Sequence, residues 1–251
     1  NYRELRKWLE SRGIVFVSNS DTEVVLRSLI YWGLKALDKF NGMFAFAFWD
    51  RSSGELLLAR DRYGVKPLYY ANQDNFFFFG SEQKTITALP YFKKAINKQG
   101  LLEYLTFQNI LTDNTLLEDI KLLPAGSWMS INTKKFTKAE ARVFWDFYFR
   151  DPEEKRNKNQ YVEQLDCLFQ QAVRRQLVGD VETAAYLSGG IDSASISAIA
   201  SASISHMKNF TVGFDLSSAS GLEMAFDERE SAESMSREFG TEHYQMVLKA
   251  G

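Results

Sequence analysis

One short segment combines the residue types that proteins use to bind phosphate. Residues 188–193 read SGGIDS and lie between an apolar stretch that predicts a strand and a stretch that predicts a helix. Two adjacent glycines let the backbone turn tightly and bring its N–H groups close to an anion. The helix that follows directs its positive N-terminal end at the same point. With hydroxyl donors at Ser188 and Ser193, the segment predicts a loop that binds pyrophosphate.

The acidic residue of this segment indicates a metal ion. Asp192 would repel phosphate unless a divalent cation lay between them, so it suggests Mg²⁺. The segment is not the triphosphate loop GxxxxGK[ST], because no lysine follows its glycines. The alternative interpretation is a Gly-Gly turn whose aspartate caps the next helix.

Composition and charge limit the class of protein. The 251 residues are 45% hydrophobic and 25% charged, which fits one or two globular domains. A net charge of −2 argues against nucleic acid or an anionic membrane as partner, and the longest apolar run, residues 43–49, is too short to span a bilayer. One cysteine and two histidines allow no intrachain disulfide and argue against a metal cluster. We expect a cytoplasmic protein.

The first 150 residues predict an α+β domain. Two helices flank an apolar stretch at 14–17 that predicts a strand, and Ser20 to Glu23 fit a capping box for the second helix, which Gly33 can end. Short aromatic-rich strands separated by turns indicate an antiparallel sheet, and the alternation of Phe and Ala along the first of them is typical of a core strand. These strands are predicted at 43–49, 55–59, 67–71 and 75–80, followed by a helix at 98–107 and a strand at 127–132.

A charged, polar stretch at 150–158 predicts a domain boundary, and the pattern after it changes. An amphipathic helix at 160–177 is followed by strands that alternate with helices, which indicates a parallel sheet. The strands are predicted at 183–187, 209–214 and 243–248, and the helices at 194–205 and 230–239.

The motifs resemble those of a known family. SGGIDS after an apolar strand resembles the loop of the ATP pyrophosphatases, which adenylate an acceptor and release pyrophosphate. Residues 41–70 look like the second half of a class II glutamine amidotransferase domain, and YREL at 2–5 and SDTEV at 20–24 also fit it. An amidotransferase followed by SGGxDS is the order of glutamine-hydrolysing asparagine synthetases, whose synthetase segment is similar to residues 210–214, 227–228 and 239–243.

The resemblance implies a fold and a chemistry. Residues 1–150 would be the C-terminal portion of an αββα sandwich of N-terminal-nucleophile hydrolase type. Residues 151–251 would begin a doubly wound α/β ATP-pyrophosphatase domain. The substrates would be glutamine, aspartate and ATP with Mg²⁺: aspartate forms β-aspartyl-AMP, and ammonia from glutamine displaces AMP. A homodimer is left open as the assembly.

The resemblance also implies site residues. Asp21 matches the carboxylate that holds the glutamine α-amino group, although an aspartate in the first turn also suits the helix dipole. Val212 matches the position whose backbone contacts adenine, although an apolar residue there equally suits a core strand. His243 matches a family position but is interpreted as structural. The implied ATP-binding set is Tyr186, Leu187, Ser188, Gly189, Gly190, Ile191, Asp192, Ser193 and Val212, with Asp192 also the possible metal ligand.

The RDRxGxKP stretch of the family is matched by four charged residues, Arg60, Asp61, Arg62 and Lys66. We interpret them as a structural ion-pair network that is buried or lies at an interface, since charges that alternate between strands usually have that role.

No catalytic residue is assigned within the chain. It begins at Asn1 inside a predicted helix and ends at Gly251 after a predicted strand, so we expect a fragment of a longer protein. The family's N-terminal cysteine nucleophile and the Asn-Gly pair of its oxyanion hole would precede Asn1, and a later Glu and Lys would follow Gly251. Cys167 cannot replace the nucleophile, because it is predicted as a buried thiol in mid-helix. We expect this polypeptide alone to hydrolyse no glutamine and make no asparagine.

Two other functions remain open at this point. The acceptor could be another carboxylate, as in a related amidotransferase or a cyclising synthetase. Aspartate-dependent pyrophosphate release by the full-length protein would distinguish an asparagine synthetase from such an enzyme. The chain could instead be a truncated, non-catalytic ATP-binding module, which would bind nucleotide without turnover.

Overall fold

The computed structural model describes residues 1–135, 140–151, 155–215 and 227–248. The chain forms two compact units, Asn1–Arg150 and Asp151–Gly251. Within the residues described, every helix is too short or too polar to cross a bilayer.

The described part of the first unit contains two antiparallel sheets, with strand orders β1-β2-β6-β7 and β4-β3-β5. The helix predicted at 98–107 and the strand predicted at 127–132 are confirmed as α5 and β6. In chain order the elements are α1 (Tyr2–Glu10), α2 (Asp21–Trp32), a 3₁₀ turn (Gly33–Lys35), α3 (Ala36–Lys39), β1 (Ala45–Asp50), β2 (Glu55–Arg60), β3 (Tyr69–Gln73), β4 (Phe76–Gly80), α4 (Gln83–Thr87), α5 (Lys98–Phe107), β5 (Ile120–Leu122), β6 (Ser127–Asn132) and β7 (Arg142–Val143).

The two sheets stack face to face, with helices on their outer sides. Phe46 and Phe48 of β1 pack against the cluster that includes Leu37 and Phe40 of the helical layer. The alternate residue Ala45 faces a second cluster that joins both sheets. Ile86 of α4 covers the outer face of the second sheet. The Phe–Ala alternation is therefore a core strand between two layers, as predicted.

The strand predicted at 14–17 is wrong. In the described residues no strand pairs with this segment, and its last amide is used elsewhere. The N–H of Val17 donates to the Glu23 carboxylate at 3.1 and 3.2 Å, and the N–H of Ser18 donates to it at 2.7 Å. A side chain of α2 thus takes the place of a neighbouring strand.

The start of α2 also differs from the predicted capping box. Ser20 is the N-cap and accepts a hydrogen bond from the N–H of Thr22 at 3.1 Å. Glu23 does not complete the box, because its carboxylate binds the preceding segment instead. Gly33 ends the helix at φ 60, as expected.

Glu23→Gln is expected to flatten the acid dependence of stability. The Ser18 hydroxyl first, and then the backbone N–H groups of Val17 and Ser18, hold the pKa of Glu23 at about 2, below its ordinary 4.5. A carboxyl with a depressed folded-state pKa stabilises the fold above its unfolded pKa and loses that contribution as the pH falls through the folded value. The melting temperature of the wild type should therefore drop more steeply between about pH 4.5 and 2 than that of Glu23→Gln. The exposed Glu4→Gln is the control, and equal slopes for wild type and Glu23→Gln would contradict the assignment.

Gly100→Ala is expected to destabilise the first unit although alanine is the better helix former. A Cβ on Gly100, inside α5, would overlap the carbonyl oxygen of Thr115. Relieving such an overlap typically costs about 1–3 kcal/mol, more than the gain of about 1 kcal/mol in helix propensity. Urea unfolding would measure the loss, with Gln99→Ala on the exposed side of the same helix as the matched control. A Gly100→Ala variant as stable as the wild type would show that the carbonyl moves freely.

The predicted ion-pair network of residues 60–66 is wrong. Buried Arg60 donates to three carbonyl oxygens, those of Lys66 at 2.9 Å, Leu123 at 2.7 Å and Gly64 at 2.6 Å. The carboxylate of Asp61, 1% exposed, accepts four backbone N–H groups. Among the described residues no salt bridge joins Arg60, Asp61, Arg62 and Lys66. Arg60 and Asp61 satisfy backbone groups of converging loops, and the interpretation of these two residues as structural holds in that form.

The second unit contains a parallel sheet in the order β10-β9-β8. Tyr186 pairs with Phe210, and His243 pairs with Asn209. The elements are α6 (Lys158–Gln176), β8 (Ala184–Tyr186), α7 (Ile191–Ser201), β9 (Lys208–Phe214), α8 (Arg229–Phe239) and β10 (Glu242–Leu248).

In the described residues the helices of this unit lie on one face of the sheet. Val173 of α6 and Ala200 of α7 pack against Ala185 of β8, and α8 lies on the same side, where Arg229 passes over Gly213. Strands that follow one another in sequence order, joined by right-handed crossovers, place their helices on the same face. A doubly wound sheet needs a reversal of strand order, and the described strands contain none.

Cys167 is exposed, so its prediction as a buried thiol is wrong. The buried stripe of α6 runs through Phe169, Val173 and Leu177. Cys167 lies two residues before Phe169. At 100° per residue, its side chain therefore points about 200° away from that of Phe169, on the side of α6 opposite the core. Its Sγ accepts a hydrogen bond from Gln171 Nε2 at 3.1 Å.

Candidate phosphate-binding site

The loop 188–193 follows β8 and includes the first turn of α7, which begins at Ile191, and its own side chains hold it closed. Ser193 Oγ accepts the N–H of Ser188 at 3.0 Å and lies 2.9 Å from Ser188 Oγ. Ser188 Oγ in turn accepts the N–H of Gly190 at 3.1 Å. Ser193 Oγ also lies 3.1 Å from the carbonyl oxygen of Gly190. The two serines predicted as ligand donors therefore also form the internal frame of the loop.

Other backbone N–H groups of the loop remain available. Within the described residues, the N–H groups of Gly189, Ile191, Asp192 and Ser193 have no acceptor among the hydrogen bonds of loops and helix ends or those to side chains. The N-cap of α7, Gly190, provides no side-chain cap. Free N–H groups at a helix N-terminus carry partial positive charge and attract anions. An anion is therefore the kind of ligand that suits these N–H groups.

The N-terminal turn of α8 lies directly against the loop. A Cβ on Gly189 would be 3.2 Å from Ser231 Cβ and 3.3 Å from Glu228 Cβ, so a larger residue would meet α8. Glu228 Oε1 would lie 3.4 Å from the same point. Glycine therefore favours close packing between loop and helix at this position, and Glu228 places a second carboxylate beside the loop that carries Asp192.

Arg229 and Asp227 form an ion pair at the end of β9. Arg229 Nη2 lies 2.6 Å from Asp227 Oδ2, and the same guanidinium donates to the Phe214 carbonyl oxygen at 3.2 Å. The hydrogen bond from Arg229 lowers the pKa of Asp227. A Cβ on Gly213 would overlap the Arg229 side chain. The pair ties the start of α8 to the sheet edge that carries the loop.

The remaining predicted residues of this site divide between the two faces of the sheet. Tyr186, 81% exposed, and Val212, 48% exposed, lie on the face that the described helices leave uncovered. Leu187 is buried on the opposite face, and its carbonyl oxygen accepts the Thr211 hydroxyl at 2.6 Å. Ile191 and Asp192 are exposed at the start of α7. The structure brings the loop residues together and leaves Tyr186 and Val212 accessible, whereas the Leu187 side chain packs inward.

Asp21 is the first residue of α2, in the first unit, and is exposed. Its Oδ1 lies 3.4 Å from Thr22 Oγ1 and 3.5 Å from Ser20 Oγ. These long contacts leave the carboxylate open to a cationic ligand.

Sequence reasoning assigned no site role to three residues beside the loop: Thr211, Glu228 and Ser231. Glu228 and Ser231 contact Gly189 from about 40 residues further along the chain, and only tertiary packing brings them there. Thr211 had a signal, since β9 carries Asn209 and Thr211 on its covered face, where a parallel strand is usually apolar. No group of three or more His, Cys, Asp or Glu side chains in the described residues could hold a metal ion by itself.

Comparison with known proteins identifies the class. Residues 1–145 match the family described as glutamine amidotransferase domain, and the chain belongs to that family. Residues 164–251 match the family described as asparagine synthase.

The curated relatives that match the chain include proteins named asparagine synthetase. The chain is 35% identical to asparagine synthetase [glutamine-hydrolyzing] 3 of Bacillus subtilis, over 99% of this chain and 41% of that protein. It is 32% identical to asparagine synthetase [glutamine-hydrolyzing] 1 of the same organism, over 90% of this chain and 35% of that protein. A Gibberella zeae protein named amidase chry2 is 31% identical over 80% of this chain and 31% of its own length. The chain spans about two fifths or less of the length of these relatives.

Proposed function

We propose that this chain is part of a glutamine-dependent asparagine synthetase. ATP binds at the loop of the second unit, and the β-carboxylate of aspartate attacks its α-phosphorus. The bond to pyrophosphate breaks and β-aspartyl-AMP forms. Ammonia released from glutamine then attacks the acyl carbon, AMP leaves, and asparagine results. The observation that carries the proposal is a loop with free N–H groups at a helix N-terminus, in a chain that matches both families.

The loop residues have separate roles in this proposal. The open N–H groups of the loop bind the pyrophosphate end of ATP, and they are those of Gly189, Ile191, Asp192 and Ser193. Ser188 and Ser193 hold the loop in shape and offer hydroxyl groups. Val212 and Tyr186 take the nucleoside end on the uncovered face, which they share.

Mg²⁺ fits the residues at this site. Magnesium sites on phosphate substrates commonly use one or two carboxylates together with phosphate oxygens and water. Asp192 is exposed at the loop, and Glu228 Oε1 is beside Gly189. Bound there, the ion would neutralise phosphate charge that Asp192 alone would repel.

In the first unit, the exposed carboxylate of Asp21 would bind the α-ammonium group of glutamine. Its contacts from Thr22 and Ser20 at 3.4 and 3.5 Å are weak enough for a charged ligand to compete with them. Residues 1–150 would be the C-terminal portion of the amidotransferase domain, and 151–251 the N-terminal portion of a doubly wound ATP-pyrophosphatase domain. The two compact units and the two family matches support this division. A cytoplasmic location and a homodimer remain predictions.

The test is acceptor-dependent pyrophosphate release by the intact protein. With ATP, Mg²⁺ and ammonium in place of glutamine, L-aspartate should release pyrophosphate, and Asp192→Asn should release far less. The same reaction without aspartate measures the background release of pyrophosphate. Saturable ATP binding without release under any condition would favour the non-catalytic module instead.

A second candidate is a related enzyme with another carboxylate acceptor. The relative named amidase shows that chains this similar are not confined to proteins named asparagine synthetase. Pyrophosphate release with a β-amino acid or a carboxylated peptide, and none with aspartate, would select it.

A further inference from the structure

A chain of hydrogen bonds runs from β10 to the entrance of the phosphate-binding loop. His243 Nε2 lies 2.9 Å from Thr211 Oγ1, and Thr211 Oγ1 lies 2.6 Å from the carbonyl oxygen of Leu187. The three residues are on adjacent strands, β10, β9 and the end of β8. The chain of hydrogen bonds ends at Leu187, one residue before Ser188.

The direction of each bond follows from the donors available. A carbonyl oxygen only accepts, so the single hydroxyl proton of Thr211 is donated to Leu187. Thr211 Oγ1 then has only lone pairs for His243, so Nε2 carries a proton and donates it. Nδ1 of His243 is buried and has no partner within the described residues. The contact with Thr211 is therefore the hydrogen bond that orients this imidazole.

The Leu187–Ser188 peptide group is held from both sides. Its carbonyl oxygen accepts the Thr211 hydroxyl, and its N–H donates to Ser193 Oγ at 3.0 Å. The regular pairing of β8 with β9 ends just before it, at Tyr186 and Phe210. Because a peptide group is planar, fixing both ends sets the direction of the backbone that enters the Gly189–Gly190 turn.

We propose that His243 is a positioning residue of the nucleotide site. Its Nε2–H orients the Thr211 hydroxyl toward the Leu187 carbonyl and so fixes the peptide plane at which the phosphate-binding loop begins. The inference rests on the proposed function, since it assigns His243 to the loop that would bind ATP.

Two substitutions of similar size separate this role from simple packing. His243→Gln keeps an N–H donor at comparable reach, whereas His243→Met keeps the volume without the donor. ATP affinity measured by calorimetry should fall about tenfold in His243→Met and stay within about threefold of wild type in His243→Gln. Thr211→Val should lose a similar factor, and the double variant His243→Met/Thr211→Val should lose little more, because both changes break one chain. Equal affinity in wild type and His243→Met would overturn the proposal.

A second measurement needs no nucleotide. Nitrogen-15 NMR of the imidazole should show His243 as the Nε2–H tautomer, with His206→Gln used to assign the signals of the two histidines. Amide exchange at Ser188 should accelerate in His243→Met and not in His243→Gln. An Nδ1–H tautomer, or unchanged exchange in both variants, would refute the chain of hydrogen bonds. If the wild type failed to bind ATP while the tautomer and exchange results held, the proposed function would fail. The chain of hydrogen bonds from His243 to Leu187 would still stand.

Discussion

Asp61→Ala should lower the free energy of unfolding of the first unit by about 3–5 kcal/mol. The carboxylate accepts backbone N–H groups from Phe44 at 3.2 Å, Tyr63 at 3.2 Å, Val65 at 3.0 Å and Lys66 at 3.0 Å. Removing it strands four donors in a site with 1% exposure. It also removes a negative charge that favours the charged form of the buried Arg60 guanidinium.

The measurement is urea unfolding followed by tryptophan fluorescence. Asp38→Ala, an exposed aspartate of the same unit, is the matched control and should change stability by less than about 0.5 kcal/mol. Asp61→Asn should fall between the two, because an amide keeps one accepting oxygen. If Asp61→Ala lost less than about 1 kcal/mol, the four bonds would not be making the contribution assigned to them.

Ser193→Ala should weaken ATP binding by about tenfold to a hundredfold, which corresponds to about 1.4–2.8 kcal/mol. Ser193 Oγ accepts the N–H of Ser188 at 3.0 Å and contacts the Ser188 hydroxyl at 2.9 Å and the Gly190 carbonyl at 3.1 Å. Alanine removes all three contacts and releases the Leu187–Ser188 peptide group on one side. The free N–H groups then no longer converge on one anion.

Ser203→Ala provides the control, since Ser203 is exposed just beyond α7. Calorimetric titration with MgATP, together with melting curves for both variants, would separate lost binding from lost folding. Unchanged affinity in Ser193→Ala would show that the loop keeps its shape without this hydroxyl group.

Elements with strong local signals were predictable from the sequence. The helix α5 and the strand β6 have the predicted bounds, and the loop 188–193 follows a strand and leads into a helix, which begins at Ile191 rather than at the predicted 194. Periodicity and turn residues act over a few positions, so no knowledge of distant contacts was needed for them.

The failures depend on contacts that residue composition does not show. Residues 14–17 have strand composition, but a strand needs a neighbouring edge, and the Glu23 carboxylate binds the Val17 N–H instead. Arg60 reaches the Leu123 carbonyl, 63 residues away, so its satisfaction by backbone could not be read from local charge alternation. The exposure of Cys167 was, in contrast, available from the phase of the apolar stripe on α6.

The candidate phosphate-binding site also combines features that the sequence predicted with features that only tertiary contacts create. Its loop was predicted from the residue types, while Thr211, Glu228 and Ser231 reach the loop through strand register and helix packing. The polar residues on the covered face of β9 were the sequence signal for Thr211. An inward hydroxyl on a parallel strand must find a partner, and the nearest strand end supplies it.

The serine pair that closes the loop also has a consequence for the speed of nucleotide capture. Because the frame consists of contacts between the loop's own residues, we expect association to require little ordering of the chain. The observed association rate should then rise linearly with ATP concentration and reach no plateau. Differences in affinity among loop variants should appear mainly as shorter residence times of the bound nucleotide.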